Sequence, residues 1–312
     1  MAVDRAVLFR LATSERLERI VKAVPGGDAQ AWRAASRYVA GRSRDEGLMA
    51  TVDLLAQGHG VSVDLFGELV RDQATADRVT EDYLAAAALP DPPTDVWLSL
   101  DLSHLAIDTD PAGAADRLAT IAAALPPGRR IQVGAEDAAR IDAALRCVLV
   151  VAGRGLADRL GATVQANLLR SERDVDTLTA ARVHVRLVKG AYLEPTGTHP
   201  YGEPTDIAYL RLGFRLHEAG AAWSMATHDG RLREALLLAL GPVPVEQLLG
   251  VRLETLQELK ARGVPTRVYV PTDPTGSATG SVGSPNLAGP DAPTRHQALQ
   301  TDRRGRHIVA SS

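Results

Sequence analysis

The apolar positions along the chain change their period once. Over residues 1–90 they recur every three or four residues, the spacing of one helical face. "SERLERIVKAV" (14–24) opens on Ser14 as an N-cap and sets Leu17, Ile20, Val21 and Val24 on one side. "DAQAWRAASRYVAG" (28–41) ends on Gly41, a C-cap residue. "RDEGLMATVDLLAQG" (44–58) and "ATADRVTEDYLAAAA" (74–88) continue in the same style. The proline-rich "LPDPPTD" (89–95) then reads as a linker.

Beyond the linker, short strand-like runs alternate with amphipathic helices. The runs are "VWLSLDL" (96–102), "RIQVGAE" (130–136), "ATVQANL" (162–168), "VHVRLVKG" (183–190), "AWSMATHD" (222–229), "VEQLLG" (245–250) and "TRVYVP" (266–271). Seven strand–helix units in a row call for a parallel sheet. At roughly 25–35 residues per unit, the expected closure is a (β/α)8 barrel with an incomplete eighth unit. An open doubly wound sheet is the rival, but no G-x-G-x-x-G follows the first of these runs and no phosphate-binding G-x-x-x-x-G-K-S/T occurs. After Pro271 neither period persists. The expectation is a helical arm over 1–90, a barrel over 91–271 and a disordered Pro/Gly/Ser-rich tail over 272–312.

Composition narrows this picture a little. With 312 residues, 45% of them hydrophobic, there is material for one large core. A net charge of −3, with basic residues clustered only in the tail's "DRRGRH", gives no footing for a nucleic-acid partner. The single cysteine, Cys147, lies on an apolar helical stretch and reads as packing in a reducing compartment. "AVLFRLA" is short for a secretory signal, and no apolar run approaches the length of a bilayer. A cytoplasmic protein is expected.

In a barrel of this kind, reactive groups gather where strands end. The ends of the runs carry Asp101 and His104, Glu136 and Asp137, Gln165 and Asn167, then Arg186, Lys189 and Tyr192. Thr227, His228 and Asp229 follow, and after them Gln247, Arg267 and Tyr269. Some of these have plainer duties, since Asp137 and Asp229 are placed to cap the helices that follow them. The spacing R-x-x-K-G-A-Y, Arg186 to Tyr192, says most. Period two puts Arg186 and Val188 on one face, and Gly190 allows a planar ligand close to the backbone. Two cations there suit an anionic or reducible group. No grouping has the spacing of metal ligands, and there is no G-x-S-x-G elbow.

"VRLVKGAYLE", "MATHD", "VEQLLGVR" and "TRVYVP" together resemble the proline dehydrogenase family, FAD-containing enzymes that oxidise L-proline to 1-pyrroline-5-carboxylate. "VSVDLFGE" (61–68) looks like that family's helical lead-in, so the resemblance runs over about residues 55–271. It implies a distorted (β/α)8 barrel with FAD at the strand C-termini. By motif, the flavin contacts would be Gln165, Arg186, Val188, Lys189, Gly190, Ala191, Thr227, His228 and Gln247, with Val133 offering backbone. Tyr192 and Tyr269 would line the proline pocket, and Arg186 would take a catalytic part by stabilising the reduced, anionic flavin. The implied reaction is hydride transfer from proline C5 to flavin N5. Electrons would then pass to a quinone or similar acceptor, with contact at the inner face of the cell membrane.

Three departures stand against the family pattern. Asp101 replaces a Lys, Gly134 replaces an Asp, and nothing in 272–312 matches the helix whose Arg pair grips the substrate carboxylate. Either Asp101 assumes part of the missing Asp's catalytic role, or the pocket turns over proline weakly. GC-rich codons for 272–288, read one base out of step, spell YGPDWFRYWIRRLAEPR, which restores the aromatic turn and the Arg pair. A frameshift after Pro271 is the expectation that follows. Two alternatives remain at this level: a flavin-binding remnant without catalysis, and a Schiff-base aldolase using Lys189.

Overall fold

The computed structural model describes residues 40, 44–65, 67, 69–88, 95–190, 192, 194 and 196–272. The helices expected at 14–24 and 28–41, most of the 89–95 linker, Ala191 and the tail from 273 onward lie outside the described residues.

Eight parallel strands close on themselves in chain order. They are β1 (Gly60–Leu65), β2 (Val96–Leu100), β3 (Ile131–Val133), β4 (Leu160–Gln165), β5 (His184–Val188), β6 (Trp223–Ala226), β7 (Val245–Leu248) and β8 (Thr266–Thr272). Eight α-helices accompany them among the described residues: α1 (Arg44–Ala56), α2 (Gln73–Ala87), α3 (Pro111–Ala124), α4 (Ile141–Val151), α5 (Ser171–Ala180), α6 (Glu203–Glu218), α7 (Gly230–Leu240) and α8 (Leu253–Ala261). The expected (β/α)8 barrel is therefore present.

One boundary moves. "VSVDL", read from the sequence as part of a helical lead-in, is strand β1, and the all-helical arm cannot extend to residue 90. It pairs with β2 through Val61–Val96 and Val63–Leu98, and with β8 through Val61–Val268 and Val63–Val270. All its residues are buried, so Val61 and Val63 pack on helices while Ser62 and Asp64 face the interior. The eighth strand is thus supplied from the N-terminal side, and the sheet is complete at Thr272. Helix α1 lies against the β1/β8 seam, where Leu54 is buried and the Gly47 backbone closes on the Thr272 side chain. The Ala40 N–H donates to the Pro271 carbonyl at 2.9 Å beside it.

The apolar core is the layer between sheet and helices. Val61, Leu98, Ile131, Val185, Met225 and Val268 are fully buried on the outer face of the barrel, each worth about 1.5–3 kcal/mol against exposure. Helix starts are capped where the sequence supplies the acceptor. Asp72 accepts the Thr75 N–H, Asp110 accepts the Gly113 N–H ahead of Pro111, and Asp229 accepts those of Arg231 and Leu232. The barrel interior, in contrast, is polar.

Candidate active site

Alternation along each strand decides which side chains enter the barrel. Arg186 on β5 and Glu246 on β7 both do, and they form an ion pair there. The Arg186 Nε donates to Glu246 Oε2 at 2.8 Å, and Nη2 lies 2.7 Å from the same oxygen. Nη2 also donates to Ser62 Oγ at 3.2 Å, and the guanidinium lies 5.7 Å from the centre of the Tyr269 ring. Ser224 on β6 donates to the other oxygen of Glu246. Burial would push the Glu246 carboxyl up, but Arg186 and Arg267 outweigh it and hold it below the usual carboxylate value.

Above this layer lie Asp64 near the end of β1 and Asp101 just after β2, with Tyr269 reaching up from mid-β8, level with Ser62. The Tyr269 hydroxyl donates to Asp64 Oδ2 at 2.7 Å. Burial, then the charges of Asp64 and Asp101, raise the Tyr269 phenol well above its ordinary value, so it stays protonated. Asp101 reaches across to β3. A Cβ built on Gly134 would fall 1.8 Å from Asp101 Oδ1, so the carboxylate fills the space where a side chain at 134 would begin.

The ends of β4 to β6 are different in kind. Gln165 Oε1, Asn167 Oδ1 and His228 Nδ1 are buried and have no hydrogen-bond partner among the described residues. The Gln165 amide is otherwise engaged, with Nε2 donating to the Glu136 carbonyl at 2.9 Å. Gly190 sits at φ 107° with its open side against Asn167, where a Cβ would fall 1.9 Å from Oδ1. Burial holds the His228 imidazole down to about 4, so the ring is neutral near pH 7. Buried polar atoms in folded proteins are nearly always bonded, so three such atoms together at the ends of β4 to β6 leave bonding capacity that a ligand or water can take.

The structure brings Gln165, Arg186, Val188, Gly190, His228 and Tyr269 to one end of the barrel, as the sequence suggested. Val133 faces the helix layer, leaving only its backbone for the site, and the Tyr192 hydroxyl donates to the Ala135 carbonyl at 2.9 Å. Thr227 is buried and its hydroxyl accepts the Asp229 N–H at 3.1 Å. Lys189 alternates outward and meets Asp206 Oδ1 at 2.7 Å and Asp229 Oδ2 at 3.2 Å. Gln247 is directed away as well. It lies level with outward-facing Val268, is 2% exposed, and has neither side-chain polar atom bonded, while its neighbour Glu246 takes the interior place. Arg267 belongs to the other end, stacked 3.6 Å over Trp97 and donating to the carbonyls of Val61 and Asp95. Sequence reasoning missed Asp64 and Glu246. For Asp64 the signal was available, because it alternates with Ser62 inside "VSVDL".

A family profile described as Proline dehydrogenase matches residues 48–278. The chain belongs to the proline dehydrogenase family. A curated relative, proline dehydrogenase of Deinococcus radiodurans, is 32% identical over 256 residues, covering 77% of this chain and 82% of its own. Proline dehydrogenase 1 of Bacillus subtilis is 27% identical over 76% of this chain and 81% of that one. Among solved structures, proline utilization A of Bdellovibrio bacteriovorus, inactivated by N-propargylglycine, superposes with a TM-score of 0.73 at 19% identity. That match covers 90% of this chain and 36% of the larger protein, so the chain spans about a third of it. The chain is thus an oxidoreductase by family, built on the proline dehydrogenase barrel. No helix among the described residues is long and apolar enough to cross a membrane.

Proposed function

We propose that this protein oxidises L-proline to 1-pyrroline-5-carboxylate with FAD held at the ends of β4, β5 and β6, and passes the electrons to a quinone or similar acceptor. The observation that carries the reading is the set of buried, partnerless polar atoms Gln165 Oε1, Asn167 Oδ1 and His228 Nδ1 around Arg186. These groups, together with Val188 and the Gly190 backbone, would hold a flavin. Bound there, it would supply a hydride acceptor for proline C5.

The chain's own residues do the rest. Arg186 contributes positive charge next to the site, in a water-poor interior where charge acts strongly. Tyr269, protonated and held by Asp64, forms one wall. Asp101 brings a carboxylate from β2 to the space over Gly134, where it can accept a hydrogen bond from the substrate amine and orient it. On this reading, Asp101 with Gly134 is a carboxylate delivered from the neighbouring strand rather than one lost. The aldolase alternative fits less well, because Lys189 points to the helix layer and is held by two carboxylates instead of facing the site as a free amine.

Purified protein should be yellow, and anaerobic L-proline should bleach its flavin absorbance. Colourless protein, or flavin that proline leaves oxidised, would overturn the proposal. Asp101→Ala should lower kcat/KM for proline by roughly 100-fold with flavin retained. Unchanged turnover would remove Asp101 from the mechanism.

A further inference from the structure

The Arg186–Glu246 pair is costly to build. Its side chains are 7% and 2% exposed, and two charges taken out of water are seldom repaid by their own attraction. A pair of apolar side chains would fill the barrel at less expense. The pair is also asymmetric. The carboxylate has a full set of partners in the protein, from Arg186 and Ser224, whereas Arg186 uses Nε and Nη2 for Glu246 and Ser62. None of those contacts uses Nη1. The arrangement locks the guanidinium plane from below and from the β7 side, and it sets a negative charge within 3 Å of the positive one.

We propose that Glu246 is a positioning residue for the redox site: it fixes the orientation of Arg186 and offsets part of its charge, and so tunes how strongly the site stabilises negative charge on a bound flavin. This rests on the flavin reading above. Gln247, the neighbour that the family motif suggests as a flavin ligand, lies level with outward-facing Val268. The β7 contribution to the site therefore passes through Glu246 and Arg186.

The test is Glu246→Gln in the flavin-loaded full chain, read by sulfite titration and flavin midpoint potential. Sulfite adds to flavin N5 and leaves a negative charge on the ring, so its affinity reports the positive field at the site without any turnover. Glutamine keeps the shape and can still bond Ser224 and Arg186, but it removes the charge. E246Q should bind sulfite roughly tenfold more tightly and shift the potential upward. Glu246→Asp keeps the charge on a shorter arm, so its potential should stay near that of the unaltered protein while kcat falls. Flavin retained with sulfite affinity and potential unchanged in E246Q would overturn the proposal, even if the variant melts earlier. So would an E246D potential displaced as far as that of E246Q. If E246Q cannot hold flavin, the E246D comparison decides by itself. Failure of the flavin reading would look different, since the unaltered protein would then show no flavin absorbance.

Discussion

The barrel interior is polar at both ends, but the two ends handle their polar groups in opposite ways. At the N-terminal end the groups satisfy one another. Arg267 lies 3.6 Å over Trp97 and donates to two carbonyls, and His184 stands edge-on to the same indole at 5.0 Å with Nδ1 3.3 Å from Gln132. At the C-terminal end Gln165, Asn167 and His228 each keep an atom without a partner. A closed polar network adds rigidity, and an open one costs stability until something binds. The contrast teaches that polarity inside the barrel does not by itself mark the site. Unsatisfied polarity gathered on neighbouring strand ends does, whereas an isolated case such as outward-facing Gln247 does not.

The largest test of that contrast falls on the closed end. Trp97→Ala removes the surface that carries Arg267 and His184, and it should cost about 3–5 kcal/mol of unfolding free energy in urea. The surviving folded molecules should bind flavin normally, because nothing at the strand ends has changed. Weakened flavin affinity in folded protein would show that the two ends are not separable.

The same distinction explains what the sequence could and could not reveal. Strands β2 to β8 were legible because each is a short apolar run set off by helix-spaced segments. The gathering of Arg186, Gln165, His228 and Tyr269 inside one barrel was legible because side chains on neighbouring strands and their ends converge there. Strand β1 was missed although "VSVDL" alternates, because it lies between two helical segments and its partners β2 and β8 are distant in the chain. Glu246 and Gln247 are adjacent, and one position of register decides which faces the interior. The residue type pointed to Gln247, and the register selects Glu246. Arg267 and Tyr269 share a run and a parity only two residues apart, and their side chains lean to opposite ends of the interior, Arg267 to Trp97 and Tyr269 to Asp64.

At the open end, Gly134 and Asp101 should be coupled. Gly134→Ala places a Cβ against the Asp101 carboxylate and should cost about 1–3 kcal/mol through overpacking. In an Asp101→Gly background the same change should be nearly neutral. A double-mutant cycle measured by urea denaturation should therefore show a coupling above roughly 1 kcal/mol. Additive effects would mean that the carboxylate does not occupy the space above β3.

Buried histidines at both ends make stability depend on pH. Burial lowers His184 to about 3 and His104 and His228 to about 4, from 6.5. These groups are neutral in the folded chain, so their contribution is complete above pH 6.5 and is lost as pH falls and the unfolded chain takes up protons. Between pH 7.5 and 5.5 each should withdraw about 1.4 kcal/mol. Denaturation across that range should show stability falling with pH, and His184→Gln should flatten the slope by one histidine's share. A flat profile would mean that these rings are hydrated and not buried.

The smallest expected change in stability is the most discriminating one. Gln165→Leu deletes an acceptor that has no partner and a donor bonded to the Glu136 carbonyl. The gain from no longer burying an unsatisfied oxygen and the loss of one neutral hydrogen bond are each about 1 kcal/mol, so the net should lie within about 0.5 kcal/mol of zero. Flavin affinity should nevertheless fall by roughly tenfold, because the open end loses an acceptor that a bound flavin would engage. The matching change at the closed end, Gln132→Leu, removes an amide bonded to Thr163 and set against His184, and should destabilise the apoprotein with no effect on flavin affinity. If both glutamines behave alike, in stability or in flavin affinity, the division of the barrel into a satisfied end and a waiting end does not hold.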